Sequence, residues 1–328
     1  MNTARATVIL LVGSFWVALS AGAQVRDPAP SFPSRPIRWV VPVPIGGTND
    51  ILSRLFGPKI HAAWGQQVIV DNRPGGAYVI GTDILAKAVP DGYTVGMLLS
   101  SHAVGPYAIK NLPYDPIKDF QPISMVALVP GVLVTRPDVP VASVKDVIAL
   151  AKSKPGQLNY GPPGQLSSGH MSMELLNVMG GVKITYVPYK GGAPAIQGVL
   201  VGEIHFLILS PPAVMGFLQS GRLKAIATTS VKRSPGLPQV PTFSESGLPG
   251  FDTSEWYAMF APAKIPRPVL AKFNAEINRI LAMPDIKKRM LTLGAIPSGG
   301  TPEDLGAFLK SEMDRWGKVT REINLQPN

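Results

Sequence analysis

The chain has 328 residues, of which 45% are hydrophobic, a formal net charge of +10 and no cysteine. This length can bury more than a single core usually uses, so we expect two domains. The lack of cysteine excludes disulfides, cysteine nucleophiles, cysteine metal sites and a lipid anchor on an N-terminal cysteine. The positive charges are scattered and are not interleaved with stacking aromatic residues, so we predict no nucleic-acid partner.

The start of the chain has the pattern of a secretory signal, which we place at residues 1–23. Arg5 supplies a positive charge, residues 7–19 form a largely apolar run, and residues 21–23 read Ala-Gly-Ala, a small-residue cleavage pattern. The alternative is a membrane anchor, which needs roughly 20 apolar residues. We therefore predict export, with cleavage after residue 23.

Strand and helix patterns then alternate along the chain. The first series is a strand at 37–43, a helix at 50–64, a strand at 68–70, a helix at 80–89 and a strand at 94–99. Strands separated by helices of this length predict βαβ units and a parallel sheet.

A long β-prone segment at 123–134 leads into a second series. Its predicted elements are strands at 158–160, 184–187, 205–209 and 225–228, and helices near 143–151, 168–179, 193–201 and 214–220. The first of these helices opens with a capping box, Ser143-x-x-Asp146. An apolar strand at 255–262 is then expected to return the chain to the first series.

The end of the chain has helical patterns. Two helices are predicted at 268–283 and 284–293, divided by a proline. A last helix opens at Thr301, a hydroxyl N-cap that is followed by Pro302, and reaches about residue 322.

This alternation predicts an α/β protein of two domains. Residues 24–126 and 254–328 form the first domain, and residues 127–253 form the second. Because the chain crosses between the domains twice, we expect a cleft between them. Two domains joined in this way can close over a ligand by hinge motion.

Four junctions at predicted strand ends or helix starts are rich in glycine or hydroxyl residues. They are residues 45–49 (Ile-Gly-Gly-Thr-Asn), 73–76 (Arg-Pro-Gly-Gly), 100–102 (Ser-Ser-His) and 161–170. Ligands of parallel α/β sheets lie at such junctions, where the free N–H groups of helix starts attract an anion. Each helix start contributes on the order of 0.3–1 kcal/mol, so several together can hold a carboxylate without arginine. The alternative is that each junction is an ordinary turn.

The sequence gives less support to a catalytic site or a metal site. The loop 161–170 has the glycine spacing of a phosphate-binding loop, but His170 and Met171 stand where Lys and Ser or Thr are required. The spacing of the four histidines suggests no metal site, and we predict no metal and no cofactor. A hydrolase built on Ser101 or Ser168 stays as an alternative, although nothing positions a base for either serine.

Nine short stretches of the sequence resemble Bug-type solute-binding proteins and occur in the same order along the chain. These proteins are the extracytoplasmic receptors of tripartite tricarboxylate transporters. The stretches are residues 35–38 (Arg-Pro-Ile-Arg), 46–51 (Gly-Gly-Thr-Asn-Asp-Ile), 71–75 (Asp-Asn-Arg-Pro-Gly), 90–94 (Pro-Asp-Gly-Tyr-Thr), 112–116 (Leu-Pro-Tyr-Asp-Pro), 118–120 (Lys-Asp-Phe), 187–191 (Val-Pro-Tyr-Lys-Gly), 232–235 (Lys-Arg-Ser-Pro) and 240–242 (Val-Pro-Thr). The resemblance implies a type II periplasmic-binding-protein fold, a small carboxylate ligand, two integral membrane transporter subunits as partners, and no reaction. We expect a monomer in the periplasm of a Gram-negative cell.

Together, the resemblance and the glycine- and hydroxyl-rich junctions indicate the ligand contacts. The candidate ligand-binding residues are Ile45, Gly46, Gly47, Thr48, Asn49, Ser100, Ser101, His102, Gln165, Ser167, Ser168, Gly169, His170 and Ser210.

The chain also departs from the family pattern at positions that bear on the ligand. Ile45 stands where the family often has proline, Leu166 stands in a loop that is usually Gly-Asn-Gly, and Leu209 stands where an acid is common. Val79 replaces a common asparagine, and Glu255 replaces a small hydroxyl residue. We therefore expect a carboxylate with an apolar or aromatic body, and not an acidic amino acid. A ligand-presenting sensor with the same cleft, a secreted hydrolase and an envelope protein are the alternatives.

Overall fold

The computed structural model describes residues 32–323 and 325, and the predicted signal at 1–23 lies outside them. The strands are β1 (Ile37–Val41), β2 (Val68–Asn72), β3 (Thr94–Leu99), β4 (Phe120–Val129), β5 (Val132–Thr135), β6 (Asn159–Tyr160), β7 (Thr185–Tyr186), β8 (Leu207–Leu209), β9 (Lys224–Thr228), β10 (Glu255–Pro262) and β11 (Ile296–Gly299). The helices are α1 (Thr48–Trp64), α2 (Val79–Ala86), α3 (Ser101–Ala108), α4 (Val144–Ser153), α5 (Ser168–Gly180), α6 (Gly192–Val201), α7 (Pro211–Gln219), α8 (Arg267–Ala282), α9 (Pro284–Thr292) and α10 (Pro302–Glu322). The α/β class is confirmed.

The larger sheet has the strand order β11-β4-β10-β3-β1-β2. β1 pairs in parallel with both β2 and β3, as the alternating pattern predicts. β10 runs antiparallel to β3 and to β4, and β11 runs antiparallel to β4. The predicted parallel pairing is therefore confirmed for β1, β2 and β3. The sheet as a whole is mixed, because β10 enters it from a distant part of the chain and runs in the opposite direction.

The smaller sheet has the order β8-β5-β9, with both pairings antiparallel. A parallel pair, β6 and β7, is attached through a bridge between Tyr160 and Phe206. The β-prone segment at 123–134 is shared between the sheets, since β4 ends at Val129 and β5 begins at Val132. The chain thus passes from one sheet to the other here and returns before β10. The exact domain boundaries stay a prediction.

β10 is buried along its whole length, and its side chains alternate between two helix layers. Trp256 and Phe260 belong to a core cluster that includes residues of α3 and α10. Tyr257 and Met259 belong to a second cluster that includes residues of α1 and α8. The larger sheet therefore has helices on both faces, and the continuous apolar run of β10 is typical of such a strand.

The predicted helix caps are present. The side chain of Ser143 accepts a hydrogen bond from the Asp146 amide at 3.2 Å. Thr301 and Asp304 form a reciprocal capping box at the start of α10. Within residues 32–323 and 325, the structure has no helix that is both long and apolar enough to span a membrane.

Candidate functional site

A cavity of about 440 Å³ lies between the two sheets and is lined from both sides. The larger sheet contributes the chain after β1, the end of β3 and the start of β10. The smaller sheet contributes Gly131, the loop before α5, and the chain after β8. This is the place at which the sequence predicts a ligand cleft.

Four helices begin at the cavity wall. Thr48 opens α1, Ser168 opens α5, Gly192 opens α6, and Ser210 is the N-cap of α7. The N-cap residues of α1 and α6 make no side-chain capping bond, so the first-turn amides of these two helices are not satisfied in that way. Helix α7 begins with two prolines, which have no N–H group. Each helix start carries a partial positive charge, and the cavity is consequently suited to an anion.

A buried carboxylate holds the loop that leads into α1. The Asp50 carboxylate accepts hydrogen bonds from the Gly46 amide at 2.9 Å, the Asn72 amide group at 3.0 Å and Arg54 Nε at 2.9 Å. Burial alone would raise the pKa of Asp50, but these hydrogen bonds and the Arg54 charge hold the pKa below its usual value. Asp50 therefore stays ionised and fixes the backbone of residues 46–49 at the cavity wall.

Glu255, the first residue of β10, places a second carboxylate at the cavity. Its Oε1 accepts hydrogen bonds from the Ser100 amide at 2.9 Å and from the Ser100 hydroxyl at 2.5 Å. Burial raises the pKa of Glu255, and hydrogen bonds from Ser100 and Ser168 oppose that rise.

Two phenols complete the polar part of the wall. Tyr78 and Tyr257 both line the cavity. Burial and the nearby Glu255 charge raise the pKa of Tyr78 to about 12, and the same causes raise the pKa of Tyr257. Both hydroxyls are therefore protonated at neutral pH and can donate a hydrogen bond. Among the described residues that line the cavity, none is Lys, Arg or His.

The structure brings more than half of the candidate ligand-binding residues together. Those that line the cavity are Gly46, Gly47, Thr48, Asn49, Ser167, Ser168, Gly169 and Ser210. Those that do not are Ile45, Ser100, Ser101, His102, Gln165 and His170.

Two of the residues expected to make the pocket apolar lie elsewhere. The Ile45 side chain is 76% exposed, and Leu166 is buried in a core cluster. Leu209 does line the cavity, beside Ile208. The apolar part of the cavity wall therefore comes from residues at strand ends. Of the three residues that the sequence predicted to make the pocket apolar, only Leu209 lies there.

The two histidines of the candidate loops are packed into apolar surroundings instead of facing the cavity. His102 Nε2 lies 3.1 Å from the Pro116 carbonyl oxygen, and its ring packs against Phe120 and Phe260. His170 Nδ1 accepts a hydrogen bond from the Leu166 amide at 3.1 Å. Burial lowers the pKa of each histidine to about 4, so both rings are neutral at neutral pH.

Acid is expected to destabilise the fold through His102. An unfolded histidine has a pKa of about 6.5, so its contribution to stability is complete above that pH and is lost as the pH falls toward 4. At pH 5 the loss from one such group is about 2 kcal/mol. Between pH 7 and pH 5, the free energy of unfolding measured in urea should fall by about 2 kcal/mol less in His102→Phe than in the wild type. The exposed His61 provides a control, since His61→Gln should leave the difference unchanged. An equal pH effect in His102→Phe and the wild type would contradict the assignment.

Tyr78, Glu255 and Tyr257 are cavity residues that the sequence did not single out as ligand contacts. The last two lie on one face of β10, two residues apart, and a period-two pattern from Glu255 is the signal that could have identified them. Tyr78 lies two residues after Gly76, and its backbone has φ of 76°, an unusual conformation for a residue with a side chain. Nothing in its local sequence predicts that it reaches the cavity.

A family model described as "Tripartite tricarboxylate transporter family receptor" matches residues 53–325. Protein BugT of Bordetella pertussis (strain Tohama I) is 36% identical over 326 residues, which cover 98% of each chain.

Solved structures agree with this match. R. palustris Rpa4515 with adipate superposes with a TM-score of 0.81 at 35% identity, covering 90% of this chain and 100% of that one. The periplasmic binding protein BugD superposes with a TM-score of 0.78 at 31% identity, with the same coverage. The predicted periplasmic-binding-protein fold is confirmed, and the chain belongs to the tripartite tricarboxylate transporter receptor family, which includes the Bug proteins.

Proposed function

We propose that this protein is a periplasmic receptor that captures a small carboxylate as a monomer and delivers it to two integral membrane subunits of a tripartite tricarboxylate-type transporter. The observation that carries the proposal is the cavity between the sheets, at which four helices begin. Converging helix starts attract an anion, and no lining residue among those described supplies a cationic side chain. This chemistry suits a carboxylate better than it suits a cation or a neutral solute.

The walls of the cavity support an apolar ligand body. Val43, Leu99 and Val129 contribute from the larger sheet, and Ile208 and Leu209 contribute from the smaller one. An aliphatic or aromatic chain can lie between these side chains, while its carboxylate meets the helix starts. The relative from R. palustris was solved with adipate, whose aliphatic body and carboxylate ends have this character.

Ligand-dependent melting tests the proposal. The mature chain, from Gln24, should melt at a higher temperature with at least one acid from a panel of aliphatic and aromatic mono- and dicarboxylates, citrate and acidic amino acids. At 100 times its dissociation constant a ligand adds about 2.7 kcal/mol, which corresponds to a rise of roughly 5 °C in a protein of this size.

The amide of the same acid provides the control, since it keeps the body and lacks the charge. We expect it to give no comparable rise. If the protein is folded and free of co-purified ligand, and none of the acids shifts its melting temperature, the carboxylate receptor is contradicted.

A further inference from the structure

Glu255 differs from every other residue at the cavity wall. Among the described residues that line the cavity, it alone carries a carboxylate. Its side chain is only 9% exposed, although it faces an open cavity of about 440 Å³. A carboxylate in this position needs strong hydrogen bonds to offset the cost of its burial.

The protein supplies hydrogen bonds to Glu255 from the start of a helix. The amide and hydroxyl of Ser100, the N-cap of α3, both donate to Oε1 of Glu255. Ser168, the first residue of α5, lines the same cavity as Glu255. Oε1 of Glu255 therefore has two donors from the protein itself, without any ligand.

The donors also bear on the charge at this end of the cavity. Hydrogen bonds donated to Oε1 by the Ser100 amide and hydroxyl favour the ionised carboxylate and oppose burial, which raises the pKa of Glu255. The anion-binding capacity of the α3 start is consequently used by the protein itself. The starts of α1 and α6 remain for the carboxylate of a ligand.

We propose that Glu255 restricts the cavity to ligands with one carboxylate, because the protein's own carboxylate occupies the place in which a second one would be held. This inference rests on the proposed function as a carboxylate receptor. A dicarboxylate would bring its second negative charge toward Glu255 in a partly enclosed site, where like charges strongly disfavour binding. The end of the ligand that faces Glu255 is therefore uncharged or cationic.

Two series of acids with matched skeletons test the proposal by isothermal titration of the mature protein. The first is hexanoate, 6-aminohexanoate and adipate, and the second is benzoate, 4-aminobenzoate and terephthalate. In a series that binds, we expect one of the two monocarboxylates to bind at least about tenfold more tightly than the dicarboxylate. In Glu255→Ser the ratio of the monocarboxylate affinity to the dicarboxylate affinity should fall at least about tenfold, chiefly because the dicarboxylate binds more tightly.

Glu303→Ser is the matched control, because it removes the same charge from an exposed position in the first turn of α10. It should leave the ratio unchanged. A wild-type protein that binds adipate or terephthalate as tightly as the matched monocarboxylates would overturn the proposal, and so would an unchanged ratio in Glu255→Ser. If Glu255→Ser does not fold, the wild-type comparison decides alone. If no acid of either kind binds, the receptor function itself fails, which is a different result from binding with the wrong preference.

Discussion

Gly169→Ala is expected to weaken carboxylate binding at least about tenfold and to lower the free energy of unfolding by about 1–3 kcal/mol. Gly169 is the second residue of α5 and lines the cavity. A Cβ atom at this position would lie 2.5 Å from the backbone carbonyl oxygen of Ile208 in β8. A carbonyl that belongs to a paired strand cannot move aside, so the start of α5 must shift away from β8. The neighbouring Ser168 would shift with it.

The same substitution at Gly192 provides the control. Gly192 also lines the cavity and opens a helix, but its Cβ would lie 3.6 Å from the nearest atom, a Leu209 methyl group. We expect Gly192→Ala to change affinity by no more than about twofold. Titration with the best acid of the melting panel, together with urea unfolding, measures both effects. Equal affinities for Gly169→Ala and Gly192→Ala would show that close contact between α5 and β8 does not position the site.

Trp256→Ala should have the largest effect on stability, a loss of about 3–5 kcal/mol in the free energy of unfolding. The Trp256 side chain is fully buried on the face of β10 that is opposite to the cavity. Its ring packs edge-on against Phe308 of α10, and its Nε1 donates to Glu312 Oε2 at 3.3 Å. Alanine would leave a large void between β10 and α10 and remove one donor from a buried carboxylate.

Trp256→Phe separates these two contributions. Phenylalanine keeps most of the apolar volume and loses the N–H group, while Glu312 keeps its contacts with Trp316 and Arg315. We expect a loss of only about 1–2 kcal/mol, measured by urea unfolding in parallel with the alanine variant. Similar losses for the two variants would mean that the hydrogen bond, and not the packing, stabilises this contact.

Apolar patterning predicted most of the elements. The strands at 94–99 and 255–262 are predicted to the residue, because each is a continuous apolar run that is buried on both faces. α3 and β11 were not predicted, since α3 contains glycine and proline, and β11 reads Ile-Pro-Ser-Gly. These two elements depend on tertiary contacts, through packing on α10 and pairing with β4, that local propensity does not record.

The site was predictable where it depends on local chain geometry. The residues at 46–49 and 167–169 were identified because a strand end followed by a helix start has a recognisable sequence. The positions of His102 and Glu255 depend on which buried face each residue occupies. His102 lies inside α3, an element that was not predicted, and Glu255 meets Ser100 only when β10 pairs with β3. A local sequence pattern cannot reveal contacts between residues that lie so far apart in the chain.

The central place of β10 also bears on the order in which the chain can fold. β3 and β4 do not pair with each other, because β10 lies between them. During synthesis both strands therefore emerge with an unpaired edge, and they keep it until residues 255–262 arrive. Exposed strand edges favour aggregation, and pairing between distant segments is slow. The larger sheet is consequently completed late, after all strands of the smaller sheet have been synthesised.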